Sequence, residues 1–176
     1  WELLIVGVLA LVAAWTYTGG RSPYGYRGLG ELGVFVFFGL VATIGTAYVQ
    51  IGFLPWESWL TGAAVGFFAS AVLMQNNLRD IEQDRQGGKR TLAVGLGESG
   101  SKVVISAFLL LPYVIVGYLT TVFVWAPVVF VTGVLAVAIA VIVWLERGPK
   151  DLIRALQLTT INSLVFSAVL ALAIAL

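Results

Sequence analysis

The sequence predicts an all-α fold, a polytopic transmembrane helical bundle, and three observations predict it. Hydrophobic residues make up 60% of the 176 and charged residues only 11%, a balance no ordinary water-soluble domain shows. The apolar residues gather into spans near the roughly 20 residues that cross a hydrocarbon core. The basic residues, ten in all, fall in alternate connections and so on one side of the bundle. The composition also excludes chemistries. With no cysteine and no histidine there is no disulfide, no zinc or haem site built on those ligands, no thiol nucleophile and no Ser-His-Asp triad. The net charge of +1 is spread over several loops rather than one patch, which gives no nucleic-acid partner.

Six spans follow in order: Leu3 to Tyr17, Leu32 to Leu54, Trp59 to Gln75, Val103 to Val124, Pro127 to Leu145 and Leu156 to Leu176. Arg21 and Arg27 lie in the first connection; Arg79, Arg85, Lys89, Arg90 and Lys102 in the third; Arg147, Lys150 and Arg154 in the fifth. The positive-inside rule makes that side cytoplasmic and the short second and fourth loops external. Trp56, Trp59, Tyr118 and Trp125 gather at the external ends as an interfacial belt. Lipid offers no partner for open backbone groups, so residues 1–176 read as a single transmembrane bundle. Small residues on one stripe, Gly62, Gly66 and Ser70 of the third span and Gly39 and Thr43 of the second, let helices approach closely. The chain opens at Trp1 and reaches its first polar loop after about 17 residues, short of a full crossing. The expectation is a chain whose upstream portion is missing.

One stretch is unlike the rest. Asn76 to Arg90, NNLRDIEQDRQGGKR, places Asp80 and Asp84 one helical turn apart with Asn77 one turn earlier, on one face of a helix leaving the bilayer. Two like charges at that spacing repel, so a cation between them is expected, and ligands that are all oxygen favour a hard one such as Mg2+. Gly87 and Gly88 break the helix and let the chain turn, bringing Lys89 and Arg90 back over the carboxylates. That layout suits a diphosphate bridged to Mg2+ on Asp80 and Asp84, with Lys89, Arg90, Arg79 and Arg85 neutralising the remaining charge. On spacing alone the loop reads equally as a solvated run of local ion pairs, such as Glu82 with Arg85 or Arg79.

With these residues in view, the segment from Asn77 to Gly97, NLRDIEQDRQGGKRTLAVGLG, resembles the second aspartate motif of the UbiA-type intramembrane prenyltransferases. Together with Tyr17 to Glu31, YTGGRSPYGYRGLGE, it resembles the branch that prenylates 1,4-dihydroxy-2-naphthoate in menaquinone biosynthesis. The resemblance implies about nine helices, of which this chain supplies the last six. It implies ionisation of a polyprenyl diphosphate, attack of the naphthoate ring on the allylic cation, and loss of the ring carboxylate as carbon dioxide. Asp80 and Asp84 match the metal and diphosphate positions, and Asn77 a polar helper beside them. Tyr17 and Arg21 match a Tyr-x-x-x-Lys pattern, with Arg replacing a point charge by a planar fork. The family's first aspartate-rich motif is not among these residues and is expected upstream. This chain by itself therefore carries half a metal site.

Aromatic side chains stabilise an allylic cation through their ring faces and wall out water. Tyr17, Tyr24, Tyr26 and Tyr48 are candidates for that task, and Asn162 for contact with the aromatic substrate. The rival reading is a cation-coupled transporter. Transporter sites lie near the bilayer midplane on broken helices, whereas these carboxylates stand at a helix end among basic residues. Another aromatic acceptor, such as 4-hydroxybenzoate, is the alternative within the family. Membrane lipid is the surrounding partner, and the expected location is the cell membrane, multi-pass, with the polar site facing the cytoplasm.

Overall fold

The computed structural model describes residues 1–176 and is helical throughout, without strands. Helix α1 spans Glu2–Thr18, and a 3-10 turn follows at Tyr24–Arg27. Helix α2 runs over Gly30–Ile51 and widens to π geometry between Phe35 and Val41. Next come α3 (Trp56–Arg79), the short α4 (Ile81–Gln86), α5 (Leu92–Leu119), α6 (Ala126–Leu145, opening as 3-10 to Thr132) and α7 (Pro149–Ala175). Five helices of 20 to 28 residues are long and apolar enough to cross a membrane, and α1 is an apolar helix of 17. The chain is a multi-pass membrane protein, as the composition requires.

Four helices, α3, α5, α6 and α7, enclose the core. All 21 of its buried apolar residues fall between Ala64 and Ala173. At its centre Phe68 meets Phe166 edge-on at 5.0 Å between ring centroids, and Tyr113 meets Phe166 at 5.5 Å. Between helices in lipid, close packing and internal hydrogen bonds hold the bundle, because apolar surface gains little by leaving hydrocarbon. Two buried polar pairings serve here. Gln75 Nε2 donates to Thr159 Oγ1 (2.9 Å), joining α3 to α7. Asn162 Nδ2 donates to the Tyr113 hydroxyl (3.1 Å), which itself pairs with Thr132 Oγ1 (2.9 Å) and so ties α7, α5 and α6 together. Lys102 of α5 reaches Glu98 (2.7 Å) and Glu146 (3.4 Å) at the end of α6.

Helix α2 sits against α3 along the predicted small-residue stripe. A methyl group on Gly39 would lie 2.4 Å from Gly66 Cα and 2.6 Å from the Gly62 carbonyl, so only hydrogen fits there. The π segment coincides with this closest approach, and Gly66 in turn lies under the Phe35 ring. Helix α1 buries none of its residues and is joined chiefly through the 3-10 turn.

The helices outrun the apolar spans. α3 continues through Asn77 to Arg79 and α7 starts at Pro149 rather than Leu156, while ahead of Val103 the chain is already helical from Leu92 but kinked at Gly97 (φ 72°, ψ 179°). Hydropathy marks only the lipid-facing length, whereas the hydrogen-bonded rod extends into the polar loops. Thr91 supplies the start of α5, its hydroxyl accepting from Val94 N–H at 3.4 Å.

Candidate functional site

The acidic stretch is not one continuous helix. Asp80 (φ −99°, ψ 11°) ends α3, and α4 restarts at Ile81. This corrects the expectation that Asn77, Asp80 and Asp84 share one uninterrupted face. The turn between the carboxylates survives, because Asp84 N–H still donates to the Asp80 carbonyl at 2.9 Å. After α4 the chain reverses at Gly87 and Gly88, the latter at φ +72°, a conformation that disfavours any side chain. The reversal is closed by Lys89 N–H donating to the Asp84 carbonyl (2.9 Å), and it places Lys89 Nζ 2.7 Å from Asp84 Oδ1. Asp84 is almost fully buried while Lys89 remains partly exposed. Lys89 also lies over the Tyr26 ring, 5.0 Å from its centroid.

Asp80 is gripped by its neighbour. Arg79 Nε and Nη2 donate to the two carboxylate oxygens of Asp80, both at 2.7 Å. That guanidinium holds the Asp80 carboxyl below the usual carboxylate range, and hydrogen bonding to Asp84 raises the Lys89 ammonium. Glu82 pairs with Arg85 at 2.6 Å on the exposed side, the local ion pair anticipated from spacing. Arg90 does not fold over the carboxylates. Its backbone N–H donates to the Tyr26 carbonyl (2.9 Å), and its side chain is exposed and forms no ion pair.

That backbone bond ties the 3-10 turn to the motif loop, so Tyr24 and Tyr26 arrive beside it. Tyr17, at the end of α1, meets Tyr24 edge-on at 5.5 Å, and its hydroxyl faces Gly30. Arg21 is exposed and forms no ion pair. One residue that sequence reasoning left out completes the cluster. Glu31 is only 3% exposed, and its Oε1 accepts from Asn77 Nδ2 at 2.8 Å. Ser70 Oγ donates to the Glu31 backbone carbonyl at 3.0 Å. The available signal was an acidic residue set just before an apolar span.

Two candidates fall elsewhere. Asn162 is fully buried in the bundle interior and bonded to Tyr113, where it joins α7 to α5, and it makes no contact with the motif loop. Tyr48 sits at the opposite end of α2, donating to Glu2 at 2.6 Å, far along the helix from the carboxylates.

Beside the tyrosines an apolar furrow opens between α1 and α2. Its first cavity, 530 Å3, is lined by Ala10, Ala14, Tyr17, Tyr24, Phe37 and Val41. A second, 400 Å3, continues from Val41 past Leu40 and Val6 toward Leu3 and Tyr48 at the other end. As a test of cation chemistry, the donor set of two carboxylates and an amide is all oxygen and fits a hard ion. Each carboxylate is meanwhile held by a cation of the chain itself, and Asp84 Oδ2 is left without a protein partner.

Fold and site together define a multi-pass membrane protein that carries an acidic and basic cluster at one end of its helices. More particularly, residues 1–164 match the model of the UbiA prenyltransferase family, and the chain belongs to that family. It is 40% identical over 173 residues to a 1,4-dihydroxy-2-naphthoate octaprenyltransferase of Mycobacterium tuberculosis, covering 98% of this chain and 59% of that protein. A protein of the same name from Escherichia coli is 50% identical over 99 residues, 56% of this chain and 32% of that one. The UbiA prenyltransferase domain-containing protein 1 of Gallus gallus is 34% identical over 120 residues, 68% of this chain and 36% of that protein. The chain thus spans less than two thirds of the length of these relatives.

Proposed function

We propose that the protein transfers a polyprenyl group from polyprenyl diphosphate to 1,4-dihydroxy-2-naphthoate with loss of carbon dioxide, at the cytoplasmic face of the cell membrane. What carries this reading is that the Asp84–Lys89–Tyr26 cluster shares its 3-10 turn with Tyr24, which with Tyr17 lines the apolar furrow, in a chain of this family. A polyprenyl diphosphate has the same two halves, a highly charged head and an apolar tail. Several naphthoate octaprenyltransferases among the relatives support this acceptor over 4-hydroxybenzoate.

Asp80, Asp84 and Asn77 would hold Mg2+, which supplies Lewis-acid neutralisation of the departing diphosphate. Arg79 and Lys89 are already within 2.7 Å of the carboxylates and exchange those partners for diphosphate oxygens when the head group enters. Arg90 and Arg21, exposed and free of ion pairs, close over the outer oxygens. Such donors favour ionisation because they bind the leaving group more strongly as its charge grows. Tyr17, Tyr24 and Tyr26 offer ring faces to the developing allylic cation and exclude water from it. The tail lies along the furrow toward Leu3.

The test is prenyl transfer by the detergent-solubilised full-length protein, given both substrates with Mg2+ or with EDTA. Metal-dependent prenylated product and carbon dioxide are expected, and Asp84→Asn or Asp80→Asn should cut turnover at least about 100-fold in protein that remains folded. A folded protein that prenylates neither naphthoate nor hydroxybenzoate, or an Asp84→Asn variant at near-normal turnover, overturns the assignment.

A further inference from the structure

Glu31 accounts for an anomaly between α2 and α3. A carboxylate only accepts hydrogen bonds, so the amide of Asn77 must turn its Nδ2 toward Glu31, and its Oδ1 is thereby fixed on the side away from α2. A clamp of that kind needs a single acceptor atom, which a glutamine supplies without charge. Instead a carboxylate is buried, and its second oxygen, Oε2, has no hydrogen-bond partner. No Lys or Arg pairs with it: Arg79 is committed to Asp80, Lys89 to Asp84 and Arg85 to Glu82. A buried carboxyl with one oxygen unpartnered is costly as an uncompensated charge and, when protonated, leaves its O–H without an acceptor, so a merely structural clamp gives no account of it.

We infer that Glu31 is a positioning residue for a divalent cation, orienting the Asn77 amide so that Oδ1 serves as a ligand and placing a buried negative charge behind it. The inference rests on the reading of Asn77, Asp80 and Asp84 as the cation site. Outer carboxylates that orient a ligand in this way commonly change metal affinity by about 10- to 100-fold. The geometry fits that role rather than direct ligation, because no group of three acidic side chains gathers around one point.

The experiment is Mn2+ titration of the full-length protein, followed by the electron paramagnetic resonance of the free ion, together with thermal unfolding in EDTA. Glu31→Gln keeps the shape and one acceptor but removes the charge. It should weaken Mn2+ binding about 10-fold or more while leaving the metal-free melting temperature unchanged or higher, since an unpaired buried charge is gone. Glu31→Asp should recover part of the affinity. A structural role moves the two readouts the other way. Mn2+ affinity within twofold of wild type, or a loss that merely follows a fall in melting temperature, overturns the inference and leaves the proposed activity standing. Absence of Mn2+ binding by the wild-type protein overturns both.

Discussion

The two halves of this molecule are held together differently. Helices α3, α5, α6 and α7 share the whole apolar core, with Phe68, Ile105, Leu109 and Phe166 fully buried. Helices α1 and α2 contribute nothing to that core; α2 rests on α3 through glycines, and α1 is exposed along its length. The closed half fixes the base from which Asn77 and the motif loop project. The open half brings the tyrosines and the furrow. Dense packing thus lies under the charged groups, and the apolar furrow lies in the half that shares no core.

Breaking the closed half should have the largest effect on stability. Phe68→Ala removes a ring packed on both Tyr113 and Phe166 and should cost about 3 kcal/mol, read from thermal or denaturant unfolding in detergent. Phe38→Ala on α2, an exposed ring, should cost less than about 0.5 kcal/mol. Equal losses would mean that the two halves are packed alike. The seam between them comes next. Gly39→Ala drives a methyl group into the backbone of α3 and should cost about 1–3 kcal/mol. Because it separates Glu31 from Asn77, it should also lower turnover, whereas Phe68→Ala should act on stability first.

Asn162→Ala should lower stability by about 1 kcal/mol through the lost bond to Tyr113 and leave KM for both substrates unchanged. A raised acceptor KM would restore Asn162 to the site. The smallest effect is on pH dependence. Asp80 has its pKa lowered by Arg79, so its contribution is present above the ordinary carboxylate value and lost as pH falls through the folded one. Lys89 has its pKa raised by Asp84, so its contribution is present below the ordinary lysine value and lost only as pH rises through the folded one. The stability difference between wild type and Asp80→Asn should therefore stay flat between about pH 5 and 9 and shrink progressively as pH falls below about 4. A step inside the flat range would show that Arg79 does not hold Asp80.

By itself, the sequence determined the bundle, the side that gathers charge and the acidic motif, since each is written in local composition or helical spacing. It also marked Gly39, Gly62 and Gly66 as places where helices can approach closely, because small residues recur at the helical period, while the structure paired them. Only the tertiary structure decided that Asp80 interrupts its helix, that Arg79 rather than a distant group grips it, and that Lys89 but not Arg90 returns over the carboxylates. Those outcomes depend on φ and ψ at single residues, which spacing does not encode. The structure likewise bonded Asn162 to Tyr113 inside the bundle and joined Glu31 to Asn77, 46 positions away. A pairing between two helices depends on how they cross and rotate against each other, and no local pattern in either helix carries that information.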